Sequence, residues 1–414
     1  MNLRGLRGEK NYMRRILSSL FLLLMTMLSA GTSFAGNNVN YEYDANGNLL
    51  RKSTVNVADS GYAPADKKTF TGKEKVAINA KGISGAENAK TTVQFWMNWT
   101  GQNNMLPFSW NSGYTLWINS NIFGFNTENG DLFGFPAENI ENKWVQITAI
   151  FHNGDITKSE IYVNGTKQSL QHYGQPLVKS VSDTANISGW AKSEDYRFKG
   201  QMSDLKIWKR ALTQTEISSS VFSKNDVALA DLVGEWKLRD EPVQSLKFNG
   251  FQQMKLSGIQ ADSNPGAQTT VQFWMKWDGN QIEMPFSWAN STYDLYFNDR
   301  LFGFNTSNGD VHGISSDPLV NKWVHVSAIF TNGDTYKNEL YINGVRQTLA
   351  KIGTASNRNV ADSAYLSGWN NDTHYQFHGN IAELKVWNRA LSPIEIESEM
   401  YKTPAIGSNL IYVY

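Results

Sequence analysis

The chain carries the same text twice. VQFWMNWTGQNNMLPFSW, from Val93 to Trp110, returns as VQFWMKWDGNQIEMPFSW from Val271 to Trp288, an offset of 178 residues. IFGFNTENGD, from Ile122 to Asp131, returns as LFGFNTSNGD from Leu301 to Asp310, at an offset of 179. NKWVQITAIFHNGD from Asn142 becomes NKWVHVSAIFTNGD from Asn321, and LKIWKRAL (Leu205 to Leu212) becomes LKVWNRAL (Leu384 to Leu391). One inserted residue near Ser291 accounts for the change of offset. A period of roughly 180 residues is far longer than a solenoid or propeller unit. Each copy is therefore a domain, and the two share one fold.

Inside each copy the pattern is that of strands. Val145, Ile147, Ala149 and Phe151 alternate with Trp144, Gln146, Thr148 and Ile150, the period of a strand with two distinct faces. Asn129-Gly130-Asp131, Asn153-Gly154-Asp155 and Asn164-Gly165 supply turn chemistry between such runs. Only Leu212 to Val221 and Leu391 to Tyr401 read as short helices, with Thr213 and Ser392 near their starts. Many short strands with little helix predict an all-β fold, two tandem β-sandwiches.

Composition narrows the function classes. There is no cysteine, so disulfides, thiolate metal sites and cysteine nucleophiles are excluded. Each domain must fold on core packing alone, and 13% aromatic residues supply the material. Arg14-Arg15, an apolar stretch from Ile16 to about Ala30, and Ser33-Phe34-Ala35 before Gly36 have the form of an export signal. The apolar stretch is short of the roughly 20 residues of a membrane span; the competing reading is an uncleaved N-terminal anchor. Without residues 1–35, 33 basic and 37 acidic residues remain, a net charge of about −4. No long basic run is present, which argues against a nucleic-acid partner. The mature protein is expected to be secreted or displayed at the cell surface, with no integral membrane domain.

FKGQMSDLKIWKRALTQTEI (Phe198 to Ile217) and FHGNIAELKVWNRALSPIEI (Phe377 to Ile396) resemble the closing signature of bacterial laminin-G-like, concanavalin A-like jelly rolls. KWVQITAIF and KWVHVSAIF are similar to the central strand of that family, EIYVNG and ELYING to its next strand, and SLKFNG (Ser245 to Gly250) to its first. The resemblance covers about residues 67 to 414 and implies two-sheet concanavalin A-like jelly rolls, frequent glycan or protein binding, and often a calcium ion. YEYDANGNLLRK (Tyr41 to Lys52) resembles one YD repeat of the RHS type, a β-hairpin unit of large bacterial surface and toxin proteins; a chance Asn-Gly hairpin is the alternative. The expected division is 1–35 signal peptide, 36–66 YD-like segment and linker, 67–240 first domain and 241–414 second domain.

Candidate sites follow from residue type and strand face. Of the fourteen tryptophans most are paired between copies, among them Trp96 with Trp274, Trp110 with Trp288 and Trp190 with Trp369, as packing residues of a repeated core would be. Trp117 is different. It shares a face with Thr115 and Asn119, while Tyr114, Leu116 and Ile118 share the other; in the second copy Tyr296 lies between Asp294 and Asn298. An aromatic ring flanked by short polar groups suits a sugar, so Trp117, Asn119, Tyr296 and Asn298 are candidate glycan contacts. The loop Asn126 to Asp131, repeated as Asn305 to Asp310, offers hard oxygen atoms. Asn126, Asp131, Asn305 and Asp310 are candidate ligand contacts, with Asp131 and Asp310 the candidate calcium ligands. The alternative is a hairpin whose Asn and Asp side chains bond their own backbone.

No hydrolytic motif emerges. Retaining glycosidases need two carboxyls about 5–5.5 Å apart, and no run of acids at alternating strand positions supplies them. The six histidines form no ligand cluster. The sequence thus points to a binder of glycan or cell-surface polysaccharide, with avidity if both copies engage one polymer. A structural or protein-interaction module of an RHS-like surface system is the alternative, with a protein partner in place of a sugar.

Overall fold

A computed structural model describes residues 37–43, 49–56, 63–221, 230–290, 293–306, 309–370, 372–404 and 409–414. The expected export segment, residues 1–35, lies outside them. Strands Asn37–Tyr43 and Leu49–Asn56 pair antiparallel, Asn40 opposite Ser53 and Tyr41 opposite Lys52. The residues that would turn between them, 44–48, are also outside the described set.

Each copy builds two antiparallel seven-stranded sheets. In the first copy one sheet runs Thr166–Lys167, Glu160–Val163, Trp144–His152, Lys90–Trp99, Lys199–Trp208, Leu232–Trp236, with Lys68–Thr71 also on Lys199–Trp208. The other runs Gln171–Tyr173, Leu132–Pro136, Ile122–Asn126, Thr115–Asn119, Met105–Trp110, Thr184–Ile187, Val76–Asn79. The second copy repeats both orders, and Leu410–Val413 takes the place of Leu232–Trp236. The alternation expected from sequence sets the layers: Val93, Phe95, Met97 and Trp99 point inward at 0–1% exposure, as do Val145, Ile147, Ala149 and Phe151 from the neighbouring strand.

The layers meet around one phenylalanine per copy. Phe151 leaves the long-strand sheet and lies edge-on to Tyr114 at 4.9 Å, Phe125 at 5.0 Å and Trp110 at 6.0 Å, all from the facing side. Phe330 repeats the arrangement with Tyr293 at 4.9 Å, Phe304 at 5.1 Å and Trp288 at 5.9 Å. Edge-to-face contact sets the positive ring edge against the negative ring face, so such a cluster fixes geometry as well as burying area.

The two short helices form where expected, as α1 (Gln214–Ser220) and α2 (Pro393–Glu399). Thr213 and Ser392 close a capping box with Glu216 and Glu395. The same glutamates take two hydrogen bonds each from Arg210 and Arg389, which accounts physically for the R-A-L-x-x-x-E spacing.

Helix α2 also joins the copies. Strand Val76–Asn79 is a sheet edge, and its Ala77 and Asn79 N–H groups donate to Glu397 Oε1 (2.8 Å) and Ser398 Oγ (3.0 Å) of that helix. The Trp236 indole N–H donates to the same Ser398 hydroxyl at 2.9 Å. Trp274, Met400 and Tyr401 of the second copy are continuous with the first copy's core. A helix over an edge strand removes a pairing template. The second copy's corresponding edge, Met254–Ser257, carries Lys255 where the first has Ala77, a charged side chain that guards an open edge.

Ser398 is fully buried and serves two donors. We expect Ser398→Ala to leave both unpaired and to cost about 1–3 kcal/mol in urea unfolding. A loss below about 0.3 kcal/mol would contradict this account of the junction.

Candidate functional site

On the outer face of the first copy's short-strand sheet lies a pocket of about 140 Å³, lined by Leu106, Thr115, Trp117, Asn126, Glu128, Gly130, Trp190 and Tyr196. Strand alternation places Thr115, Trp117 and Asn119 outward while Leu116 and Ile118 are fully buried in the core. Trp117 stands opposite Gly124, which stands opposite Gly134. A Cβ on Gly124 would lie 2.4 Å from the Phe133 carbonyl oxygen, and one on Gly134 2.3 Å from that of Phe123. Both positions must be glycine for the strands to approach this closely, so no side chain rises beside the Trp117 indole.

The opposite wall is held by the turn that ends in Trp190. Gly189 donates to the Leu106 carbonyl at 2.8 Å, Leu106 to that of Tyr196 at 2.9 Å, and the Ser109 hydroxyl to that of Gly189 at 2.7 Å. The Ser188 hydroxyl accepts from the Phe198 N–H at 3.0 Å. These bonds give the repeated I/L-S-G-W motif a local purpose: they aim one indole at the sheet face. The indole nitrogens of Trp117 and Trp190 are both buried with no protein acceptor. What the two rings offer the pocket is therefore hydrocarbon surface.

Glu128 is the one carboxylate of the lining, in a left-handed backbone conformation at φ 67°. Burial raises its pKa, but hydrogen bonds and charge from Lys179 and Lys192 outweigh this and hold the carboxyl below the usual range. Lys192 Nζ lies 2.6 Å from Glu128 Oε1 and 5.1 Å from the Trp190 ring centre. Lys179 bonds the other oxygen and the Ser112 carbonyl.

The second copy folds the same surface shut. Met284, Tyr296 and Val311 form a buried cluster backed by Leu301, Trp369 and Tyr375. The Tyr296 and Tyr375 rings meet at 6.0 Å, and Tyr296 is only 7% exposed. Burial first, and then its tyrosine neighbour, push its hydroxyl up to about 12. Asp294 replaces Thr115 and is also buried; burial, together with the nearby Asp310 charge, raises its pKa far above the carboxylate range. Tyr296 thus sinks against Tyr375, whereas Trp117 keeps partial exposure. Asn298 remains on the strand face, partly exposed, and Asn119 keeps the matching place without joining the pocket lining. Avidity from two equivalent sites does not fit this asymmetry.

The candidate cation loops are built on hydrogen bonds. Asp131 Oδ1 accepts from Thr127 N (3.0 Å), Thr127 Oγ1 (2.8 Å), Asn129 N (3.3 Å) and Asn126 Nδ2 (3.3 Å). Asp310 accepts from Thr306 N at 3.2 Å and Thr306 Oγ1 at 2.9 Å. These donors engage Asp131 Oδ1, whereas Asp131 Oδ2 is buried with no protein partner. Among the described residues no three His, Asp or Glu side chains converge as a metal site. Asn126 belongs to the pocket lining, Asp131 and Asp310 accept bonds from their own loops, and Asn305 donates to Asp294 of the neighbouring strand at 3.4 Å.

Sequence reasoning assigned Trp190 to packing and did not single out Glu128, Lys192 or Tyr196. The available signal was a difference between the copies: where the first has Glu128 and Lys192, the second sequence has Ser307 and Asn371.

Residues 70–218 and 248–397 match a laminin G family model described as the concanavalin A-like lectin/glucanases superfamily. None of the curated proteins matches the chain. Among solved structures, domains LG4-5 of the mouse laminin alpha1 chain share 12% identity, covering 86% of this chain and 96% of that one, at a TM-score of 0.28. Domain 4 of the Geobacillus stearothermophilus extracellular arabinanase AbnA, in complex with arabinotriose, shares 19%, covering 40% and 81%, also at 0.28. The receptor binding domain of botulinum neurotoxin D shares 11%, covering 84% and 93%, at 0.29.

If the Asp131 and Asp310 loops are closed by hydrogen bonds alone, millimolar calcium and excess chelator should give the same melting temperature. A bound ion would stabilise the folded state by mass action, so a rise with calcium that chelator reverses would contradict this reading.

Proposed function

The chain belongs to the concanavalin A-like lectin/glucanases superfamily, and from that premise we propose that it is a glycan-binding protein acting through the pocket of its first copy. The observation that carries the reading is one pocket lined by two indoles, Trp117 and Trp190, whose nitrogens are buried, together with Thr115 and Asn126. Stacked hydrocarbon faces suit the C–H face of a sugar ring, and short polar side chains suit its hydroxyls. The second copy contributes α2 and its own core, and among its described residues Tyr296 packs against Tyr375.

Binding is favoured over hydrolysis by the carboxylate inventory of the pocket. Glu128 is ion-paired on both oxygens and has no second acid beside it in the lining, whereas glycosidic cleavage requires two carboxyls flanking one bond. We place the mature protein outside the cell, on the strength of the export-signal pattern before Gly36. Among the described residues no helix is long and apolar enough to cross a membrane. The likeness of residues 41–52 to a YD repeat, and the antiparallel pairing of Asn37–Tyr43 with Leu49–Asn56, support a setting within an RHS-like surface system.

A glycan and polysaccharide array probed with the full chain tests this function. We expect retention on a restricted set of glycans, weakened at least about tenfold by Trp117→Ala, because a buried aromatic anchor carries a disproportionate share of binding energy. No retained glycan, or retention indifferent to Trp117→Ala, would contradict it.

A further inference from the structure

We propose that the first copy's pocket recognises a ligand ammonium group, and that Lys192 fills this place when no ligand is bound. The inference rests on reading the pocket as a ligand site and names the chemistry that the site selects.

Three aromatic side chains, Trp117, Trp190 and Tyr196, share the lining with one ionised carboxylate, Glu128. An ammonium is drawn to the face of an aromatic ring within about 6 Å and to a carboxylate by direct charge. Lys192 satisfies both at once, at 5.1 Å from the Trp190 ring centre and 2.6 Å from Glu128 Oε1. The protein's own ammonium thus marks the position.

The two lysines on Glu128 differ in kind. Lys179 is enclosed, 18% exposed, and also bonds a backbone carbonyl, so it stays and holds the carboxylate in place. Lys192 is 57% exposed on a long flexible stem, and an exposed pair of this type is held weakly. An incoming ammonium exchanges one cation for another, leaving the charge of the pocket unchanged. In the second copy carboxylate and ammonium are missing together, replaced by Ser307 and Asn371.

An alkylammonium can arrive on an amine-bearing sugar or on a quaternary headgroup. Calorimetric titration of the full chain with the glucosamine trimer, its N-acetylated counterpart and choline chloride separates these sources. We expect the glucosamine trimer or choline to bind at least about tenfold more tightly than the N-acetylated trimer. Tighter binding of the trimer assigns an amino sugar, and tighter binding of choline a quaternary headgroup. Glu128→Gln should weaken that binding about tenfold, and Lys192→Met should strengthen it about threefold by removing the internal competitor. Lys192 is a surface residue, so its variant remains informative if Glu128→Gln folds poorly. Equal binding of both trimers, unaffected by Lys192→Met, would overturn the ammonium assignment and leave glycan binding standing. Failure of all three compounds to bind would overturn the assignment, while the array decides separately on glycan binding.

Discussion

Each copy depends on one phenylalanine that reaches from the long-strand sheet into four aromatic rings across the core. The contacts of Phe151 and Phe330 agree to about 0.1 Å between copies. A close-packed interior resists change in volume or shape, so this interlock fixes the spacing and angle of the sheets. The outer faces are then free to differ without cost to the fold. That freedom explains how the same scaffold carries an open pocket in one copy and a closed cluster in the other.

The difference is produced by few residues. Trp117 against Tyr296 changes the ring that stands on the sheet, and Thr115 against Asp294 puts a buried carboxyl, its pKa raised by burial, where the first copy has a hydroxyl. The glycine pair beside the aromatic is common to both, as Gly124 with Gly134 and Gly303 with Gly313. The floor is therefore shared, and the occupants decide whether it is a site. The junction through α2 follows the same logic, since Ala77 admits the helix at an edge where Lys255 keeps its counterpart open.

Much of this was legible in the sequence because strand periodicity is a local property. The alternation in Thr115 to Asn119 told which side chains face out, and Thr213 and Ser392 marked where the short helices begin. The pocket itself was only half legible. Trp117 and Asn126 announced themselves by neighbouring residue type, but Trp190 reached the same place from a turn some seventy residues later, through backbone bonds to Leu106 that no local pattern encodes. The closure of Tyr296 was hidden for the same reason, because its cover, Tyr375, is distant in sequence. The hydrogen bonds that Asp131 and Asp310 accept from Thr127 and Thr306 were legible only as a turn pattern, because they close within each loop.

The central claim is that the first copy carries an open site lined by Trp117 and Trp190. Fluorine NMR of protein labelled with 5-fluorotryptophan, each resonance assigned by single substitution, tests it directly during titration with the glucosamine trimer. The account predicts shifts at Trp117 and Trp190 with Trp369 unmoved. Movement of Trp369 to a similar extent, or stationary resonances at Trp117 and Trp190 while another tryptophan responds, would contradict it.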